Sequence, residues 1–243
     1  MSSSLYKYCV IDKYTMENLF NNQLYFSVPK KFNDPYEGIF NFNISNQLLA
    51  DKLLRLFYEH KYQELIESKK PIEALIRHTM IEYVNQFLNE MKICCLSHVN
   101  DSLLMWAHYS GNHKGICIES DNEDFVFKVG SEVNYSEDVY KLIINSEDDT
   151  KEENLVKKYS EIVATKFLHW QYEEEYRLFS ATGESKVNYS PHSIKSIYFG
   201  LRCTSEDKAI VMSLLKQHHN VRYYQADLHI DSYKIRFIDE ELM

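Results

Sequence analysis

The run Lys92-Ile93-Cys94-Cys95-Leu96 marks the point at which a helical pattern gives way to a pattern of strands. Upstream of it, between Asn46 and Met91, apolar residues recur every three to four residues on two faces, one before and one after Pro71. Residues with this spacing share one side of a helix, so the segment predicts an antiparallel pair of helices inserted between regions of strands.

Short apolar and aromatic runs predict strands on both sides of this helical pair. Upstream, strands over 5–11 and 24–28 flank a short helix from Met16 to Asn22, capped by Thr15. Downstream, strands are predicted from 92 and over 115–119, 125–135, 175–180, 194–199, 221–225 and 233–238, with helices over 101–109, 155–167 and 206–217. This arrangement predicts an α+β fold with a mixed, mainly antiparallel split sheet. A single domain is predicted over 1–243, with the helical insertion at about 46–91.

The composition excludes several classes of function. The chain of 243 residues carries 27 basic and 36 acidic side chains, a formal charge of −9, and its pI is about 5.6. Binding to duplex nucleic acid depends on cations that neutralise phosphates, so general duplex DNA binding is not expected, although a local basic groove remains open. The six glycines form no G-x-G pair and no G-x-x-x-x-G-K motif, which excludes the Rossmann fingerprint and the P-loop.

The sequence also indicates a compartment. The first residues contain no apolar signal-peptide core. Nowhere does an apolar run reach the length of about 18 residues that a bilayer span requires. The five cysteines are odd in number and most lie in apolar, strand-like runs, which favours reduced and buried thiols. We therefore expect a soluble cytoplasmic protein without a membrane partner.

Four short stretches hold most of the residue types that carry chemistry, at 6–8, 25–37, 105–119 and 170–177. Their motifs are Lys7-Tyr8, Phe26-Ser27-x-Pro29-x-x-Phe32-Asn33-Asp34-Pro35, Trp106-x-His108-Tyr109, His113-x-Gly115 and Trp170-x-Tyr172-Glu173-x-Glu175-Tyr176-Arg177, followed later by Ile197-x-Phe199-Gly200. On these motifs the sequence resembles, through nearly its whole length, the bacterial family catalogued as domain of unknown function 2971. The resemblance implies a bacterial or phage-related protein, since some relatives are associated with phage-defence genes.

The layout is also similar to that of ADP-ribosyltransferase-like folds. Those folds place a His or Arg on the first strand, an aromatic residue or serine on the second, and a Glu, often as Glu-x-Glu, before a later strand. This resemblance assigns the first position to Lys7 or Tyr8, the second to Tyr25 or Ser27, and the third to Glu173 and Glu175. The first strand therefore departs from the pattern, with Lys-Tyr in place of His or Arg. The resemblance implies NAD as a co-substrate, and no metal is expected.

These residue types suit cleavage of the bond between nicotinamide and ribose. The reaction develops an oxocarbenium ion that a carboxylate beside the ribose stabilises, which is the role predicted for Glu175. Glu173, on the same side if the chain is extended, would orient or deprotonate the acceptor, and Tyr25 would stack on nicotinamide. The other predicted NAD-binding residues are Lys7, Tyr8, Ser27, Asp34, His108, Tyr109 and Arg177, with Lys7, Lys31 or Arg177 facing the pyrophosphate.

Several of these residues also have a structural interpretation. Glutamates 173–175 could form a solvated corner, and Arg177 could pair with one of them across the pleat. Asp34 could cap a turn, since Asn-Asp-Pro is a turn by its residue types alone. Trp106 is interpreted as a core residue.

The metal and thiol alternatives are less favoured. Cys95, His98, His108 and His113 are four potential zinc ligands, but structural zinc sites usually contain closer pairs and more thiolates. His108 and His113 are instead expected to hydrogen-bond near Asp34 or Glu119, or to line the same cleft. A thiol nucleophile at Cys94 or Cys95 beside His98 ranks lower, as does a metal-dependent nuclease built on Asp34, Glu37 and Glu119.

Two classes of function remain. The first is an NAD-consuming ADP-ribosyltransferase or NAD glycohydrolase, acting as a toxin or effector in phage defence, with an unidentified protein or nucleic acid as acceptor. The second is a non-catalytic sensor or adaptor that binds a ligand or protein partner in the same cleft. The helical insertion supports the second class, since an inserted helix pair would offer a partner surface or a lid.

Overall fold

The computed structural model describes residues 4–45, 47–67, 71–121, 123–180, 182–216, 218 and 220–240. The helices in this part of the chain are α1 (Lys13–Phe20), α2 (Gln47–Tyr58), α3 (Tyr62–Glu67), α4 (Ile72–Glu90), α5 (Leu103–Tyr109), α6 (Glu152–Val163) and α7 (Ser205–Leu214). The strands are β1 (Leu5–Cys9), β2 (Gln23–Tyr25), β3 (Phe40–Ile44), β4 (Ile93–Ser97), β5 (Ile116–Ser120), β6 (Gly130–Glu132), β7 (Asn134–Ser136), β8 (Tyr140–Ile144), β9 (Thr165–Phe167), β10 (Glu175–Phe179), β11 (Lys186–Asn188), β12 (Ile194–Phe199), β13 (Arg222–Leu228) and β14 (Ile235–Asp239). The predicted element limits Asn46 and Gln217 lie outside the described residues.

The chain divides into two compact units. The first contains residues 1–27, 92–133 and 169–243, and the second contains residues 28–91 and 134–168. The second unit therefore includes the helical insertion predicted from the sequence.

An eight-stranded sheet forms the centre of the first unit, in the order β14-β13-β12-β5-β1-β4-β10-β6. Its neighbouring strands are antiparallel except for β12 and β13, which are parallel. The predicted α+β fold with a mixed, mainly antiparallel sheet is confirmed. Two further strands of this unit, β2 and β11, form a separate antiparallel ribbon.

The large sheet is split along one edge of β4. In the described ladder β1 and β4 share the single pair Tyr6–Ser97, whereas β1 and β5 share five pairs. At the other end of β4, Ile93 instead exchanges backbone hydrogen bonds with Ser27, at 2.8 and 2.9 Å. Strand β4 is thus bordered by β1 at one end and by the segment after β2 at the other.

Side chains alternate between the two faces of this sheet, as strand geometry requires. One face belongs to an apolar core around Leu5, Leu96, Leu178 and Phe26. The other packs against α5 in an aromatic core that includes Tyr8, Tyr198 and the fully buried Trp106, whose indole nitrogen donates to the carbonyl of Asn100 at 2.7 Å. The interpretation of Trp106 as a core residue is confirmed.

The second unit is built on helices and two parallel strand pairs. Helix α2 packs against α4. The buried residues of each recur at helical spacing, for example Leu49 and Leu53 in α2 and Ile76 and Met80 in α4. The predicted helical pair is confirmed, with the short helix α3 added between its members. The pairs β3–β8 and β7–β9 are both parallel.

Three local predictions are wrong. Helix α1 begins at Lys13 rather than Met16, because the carboxylate of Asp12, not Thr15, caps it by accepting from the Thr15 backbone N–H at 2.8 Å. The strand predicted over 125–135 is a 3₁₀ turn at Phe125–Phe127, capped by Asp124, followed by the short strands β6 and β7. The helix predicted over 155–167 ends at Val163 and continues into β9. Among the described residues, no helix combines the length and the apolar character needed to cross a membrane.

Candidate functional site

A cavity of about 680 Å³ lies in the first unit, beside the split in the sheet. Its walls come from β1, α1 and β2, with Leu96 of β4 and Tyr109 of α5. Four residues predicted from the sequence line it, namely Lys7, Tyr8, Tyr25 and Tyr109. The size falls within the range of about 300–1,000 Å³ that is typical of small-molecule sites.

Lys7 supplies a cation to this cavity. It is half-buried, and its Nζ donates to the backbone oxygen of Cys95 at 3.2 Å across the split. Burial would lower the pKa of Lys7, but the thiols of Cys94, Cys9 and Cys95 outweigh it and hold that pKa above its ordinary value. Within the described chain Lys7 has no carboxylate partner. Since a lysine is seldom buried unless paired, a ligand anion would suit this position.

Exposed side chains lie at the mouth of the cavity. Tyr14 of α1 and Tyr25 of β2 are both exposed and present aromatic rings there. Across the mouth, Glu17 of α1 pairs with Lys186 of β11 at 2.7 Å, and Lys186 is the register partner of Tyr25. The charges of Glu17 and Lys186 compensate each other, so among the described lining residues Lys7 is the cation available to a ligand.

Tyr8 is partly committed to the core. Its hydroxyl donates to the backbone oxygen of Val99 at 2.9 Å, and its ring meets Trp106 edge-on with centroids 5.3 Å apart. Ser27, which is predicted to bind NAD, instead contributes its backbone to the pair with Ile93 described above and is not among the described residues that line the cavity.

Tyr109 connects the cavity to a buried carboxylate. Its hydroxyl donates to Oε1 of Glu173 at 2.5 Å, and Glu173 is only 3% exposed. The backbone of Glu173 is fixed in turn, because the hydroxyl of the fully buried Ser97 donates to its carbonyl at 2.6 Å. The carboxylate of Glu173 is therefore linked to the cavity wall through the phenol of Tyr109.

Glu173 and Glu175 do not form one extended segment. Glu174 between them has φ of +40°, and its carbonyl accepts from the backbone N–H of His98 at 2.9 Å. Glu173 ends a 3₁₀ turn, while Glu175 begins β10. The solvated corner proposed for 173–175 is wrong for Glu173 and Glu175, which are buried, and fits only the exposed Glu174.

Glu175 forms a buried ion pair with Arg177. The Nε and one terminal nitrogen of Arg177 donate to the two carboxylate oxygens of Glu175, at 2.9 and 3.3 Å. Arg177 is fully buried, so this pair matches the structural alternative drawn from the sequence. Both side chains alternate with Tyr176 and Leu178, which belong to the apolar core, and therefore lie on the sheet face opposite Lys7.

Two thiols near the site, those of Cys95 and Cys9, have raised pKa values. Burial, reinforced by the neighbouring Glu175, raises the pKa of Cys95 well above its ordinary value. Burial likewise raises the pKa of Cys9, to about 11. A cysteine nucleophile needs a lowered pKa, so these environments oppose that alternative.

The potential zinc ligands have separate surroundings. His98 contacts the carboxylate of Glu132 at 3.0 Å, and Nδ1 of His108 contacts the hydroxyl of Tyr172 at 3.0 Å. His113 has a buried Nδ1 without a hydrogen-bond partner, and burial lowers its pKa, with Arg202 adding to the effect. No group of three or more His, Cys, Asp and Glu placed to hold a metal ion occurs in the described part of the chain.

The remaining predicted site residues are distributed between the two units. Asp34 and Glu37 belong to the second unit, where Asp34 is buried and accepts from the backbone N–H of Tyr36 at 2.8 Å, as a turn-capping residue does. Glu119 belongs to the first unit and accepts from Ser4 at 2.6 Å and Tyr198 at 2.8 Å. His108 is thus joined to Tyr172 rather than to Glu119.

Three of the cavity residues that were not among the sequence candidates carry polar or aromatic groups at the mouth, namely Tyr14, Glu17 and Lys186. Tyr14 and Glu17, three residues apart, share one side of α1, and this spacing was the available signal. Lys186 lies on a strand of three residues that no periodicity identifies.

The fold defines the protein as an α+β chain with a split central sheet and a polar cavity beside the split. Residues 105–178, which contain Tyr109, Glu173 and Glu175, match the model of the family described as Protein of unknown function (DUF2971). The resemblance to this family is therefore confirmed over that segment. No curated protein and no solved structure gives a significant match.

Proposed function

We propose that the cavity binds NAD and that the protein breaks the bond between nicotinamide and ribose. The observation that carries the proposal is the convergence on one cavity of two groups: Lys7, a cation without a carboxylate partner among the described residues, and Tyr109, a phenol hydrogen-bonded to the buried Glu173. A dinucleotide offers phosphates to the first and a ribose cation, at the transition state, to the second.

Two cavity residues would contact different parts of the dinucleotide. The ammonium of Lys7 would hold a phosphate oxygen as a point charge, without a glycine-rich loop. The exposed ring of Tyr25 would stack on the nicotinamide or adenine ring at the mouth. Both contacts are compatible with the absence of Rossmann and P-loop motifs from the sequence.

Glu173 is the carboxylate that the geometry favours for chemistry, and Glu175 becomes a positioning residue. Glu175 accepts two hydrogen bonds from Arg177, on the sheet face opposite Lys7, whereas Glu173 accepts from Tyr109, which lines the cavity. A carboxylate stabilises an oxocarbenium ion through its field, and that field is stronger in a buried, low-dielectric setting than in water.

Release of nicotinamide from NAD by the purified full chain tests this proposal. The wild type and Glu174→Gln are expected to release nicotinamide at equal rates, because Glu174 is exposed. Glu173→Gln is expected to be at least about 100-fold slower, the usual effect of removing one preorganised electrostatic group. The absence of release by the wild type, or equal release by Glu173→Gln, would refute the proposal.

A second candidate is a non-catalytic sensor in a phage-defence setting. The observation that favours it is the burial of both carboxylates, at 3% exposure for Glu173 and 4% for Glu175, since buried acidic groups also occur as structural elements. The partner surface would be the helical insertion, where α2 exposes Leu48 and Leu56. Saturable binding of NAD with no nicotinamide release, together with co-purification of a stable partner, would favour this candidate over the first.

A further inference from the structure

We infer that the acceptor in this reaction is water, activated by Tyr109 acting as a proton relay to Glu173. The inference rests on the proposed function, since it specifies the second substrate of the same site. It makes the protein a glycohydrolase rather than an enzyme that modifies a macromolecule.

The burial of Glu173 limits the size of the acceptor. A protein or nucleic-acid acceptor must bring its nucleophile from solvent into contact with the catalytic base. Glu173 is 3% exposed, and its carboxylate already receives the hydroxyl of Tyr109 at 2.5 Å. An arginine or a nucleobase carried by a macromolecule cannot reach that oxygen without displacing the phenol, whereas a water molecule needs only to reach the wall that Tyr109 forms.

Tyr109 has the chemistry that a relay requires. A phenol both donates and accepts, so the oxygen that gives its proton to Glu173 can accept another proton from water in the cavity. The hydrogen bond of 2.5 Å is at the short end for an O–H to carboxylate contact, which favours transfer along it. The hydroxyl of Ser97 donates to the backbone carbonyl of Glu173 and so fixes the backbone that carries the receiving carboxylate.

The proposed step is hydrolysis of the bond between nicotinamide and ribose. The water oxygen forms a bond to C1′ of the ribose while the bond from C1′ to the nicotinamide nitrogen breaks, and that electron pair leaves on the nitrogen and neutralises the pyridinium. The water proton passes to the oxygen of Tyr109 as the proton of Tyr109 passes to Glu173. Glu173 then returns the proton to solvent through the same phenol. The products are ADP-ribose, nicotinamide and one proton, with no oxidant or metal consumed.

The chain offers a matched control pair. Tyr198 donates to the buried carboxylate of Glu119 at 2.8 Å, and neither residue is among the described residues that line the cavity. Tyr198→Phe therefore removes the same group from the same kind of hydrogen bond in the same unit. It reports the structural cost of losing a buried phenol–carboxylate contact without touching the proposed site.

The experiment follows NAD labelled in its adenosine half. For the wild type, the molar amount of free ADP-ribose is expected to equal that of the nicotinamide released, with no label on protein or on added nucleic acid. In 2 M methanol, part of the product is expected to be methyl ADP-ribose. Tyr109→Phe is expected to lower kcat about 100-fold, the lower end for general base catalysis, with KM within about twofold. Tyr198→Phe is expected to keep both constants within about twofold.

The pH profile separates a relay from a structural role. The wild-type kcat is expected to depend on pH, and Glu173→Gln is expected to lose that dependence while keeping the wild-type melting temperature within a few degrees. If Tyr109→Phe does not fold, Glu173→Gln alone tests the relay through this profile.

The outcomes distinguish the inference from the proposed function. Nicotinamide release accompanied by label on a macromolecule overturns the inference and leaves the proposed function intact. An unchanged kcat in Tyr109→Phe overturns the relay in the same way. The absence of any nicotinamide release overturns the proposed function and the inference together.

Discussion

Replacing Arg177 by methionine is expected to destabilise the first unit strongly. Arg177 is fully buried and its two hydrogen bonds compensate the carboxylate of Glu175, which is 4% exposed. Arg177→Met keeps most of the buried volume but leaves a buried carboxylate without this cation. Breaking a buried ion pair in this way costs about 3–5 kcal/mol, because the desolvation of the remaining charge is no longer offset. For a chain of this size that cost lowers Tm by roughly 6–20 °C.

The double variant Arg177→Met with Glu175→Leu supplies the control. It removes both charges, so it is expected to be more stable than Arg177→Met alone, since an apolar pair of similar volume often replaces a buried ion pair without loss. Urea denaturation followed by the fluorescence of the buried Trp106 and by circular dichroism measures each variant. A loss below about 1 kcal/mol in Arg177→Met, or two single effects that simply add in the double variant, would refute the reasoning.

Three further predictions concern other parts of the first unit. Lys7→Met is expected to weaken NAD binding at least tenfold in calorimetric titration and to leave Tm unchanged or raised. The reason is that it removes a half-buried charge that has no carboxylate partner in the described chain. A lowered Tm with unchanged affinity would contradict this prediction. Gly115→Ala is expected to destabilise by about 1–3 kcal/mol in urea, since a Cβ there would lie 2.1 Å from the backbone oxygen of Cys9, and a neutral effect would be inconsistent with that approach. Partial burial would raise the pKa of Asp124, but hydrogen bonds from Ser190 and Ser193 outweigh this effect and lower that pKa. The ionised Asp124 therefore stabilises the fold fully above its unfolded pKa of about 4, and this stabilisation is lost as the pH falls through the native pKa. The difference in unfolding free energy between the wild type and Asp124→Asn should therefore shrink from pH 7 to pH 2, and a constant difference would exclude this linkage.

The helices and the central strands could be predicted because their signals are local. The apolar face of α4 recurs at helical spacing through Ile76, Met80, Val84 and Leu88, all of which are buried. Strand β1 likewise starts at the predicted Leu5 and ends two residues before the predicted limit. Each of these elements is stabilised by a pattern that a short window of sequence contains.

Strands β3 and β8 are absent from the sequence-based prediction for two different reasons. The segment Phe40-Asn41-Phe42-Asn43-Ile44 alternates in the manner of a strand and could have been identified, but the nearby Asn, Asp, Pro and Gly residues favoured a loop. Strand β8 lies about 100 residues further along the chain and pairs with β3 in parallel. A parallel partner so distant in sequence is determined by tertiary packing, which no local window records.

The candidate site shows the same division between local and long-range information. Short motifs and their resemblance to known families were enough to select Lys7, Tyr25, Tyr109 and Glu173, and all but Glu173 line the cavity directly. The contribution of Glu17 and Lys186 depends on a contact between α1 and β11, residues separated by 169 positions. Such a contact depends on the pairing of β2 with β11, which a local window of sequence does not contain.

The three consecutive glutamates show why the candidate site could be located but not resolved from the sequence. Glu173, Glu174 and Glu175 are chemically identical, and an extended chain would give the outer two one environment. The left-handed backbone of Glu174 instead rotates the chain between a 3₁₀ turn and β10, so that Glu173 meets Tyr109 while Glu175 meets Arg177. A non-glycine residue in this conformation costs about 1 kcal/mol or more and persists only where the surroundings enforce it, here through the hydrogen bond from His98 to its carbonyl. One backbone angle thus separates the carboxylate that Arg177 contacts from the carboxylate that Tyr109 contacts. Glu174→Gly relieves the strain without moving either carboxylate, so it is expected to raise the stability of the fold or leave it unchanged. The preference for Glu173 over Glu175 in nicotinamide release is expected to be retained.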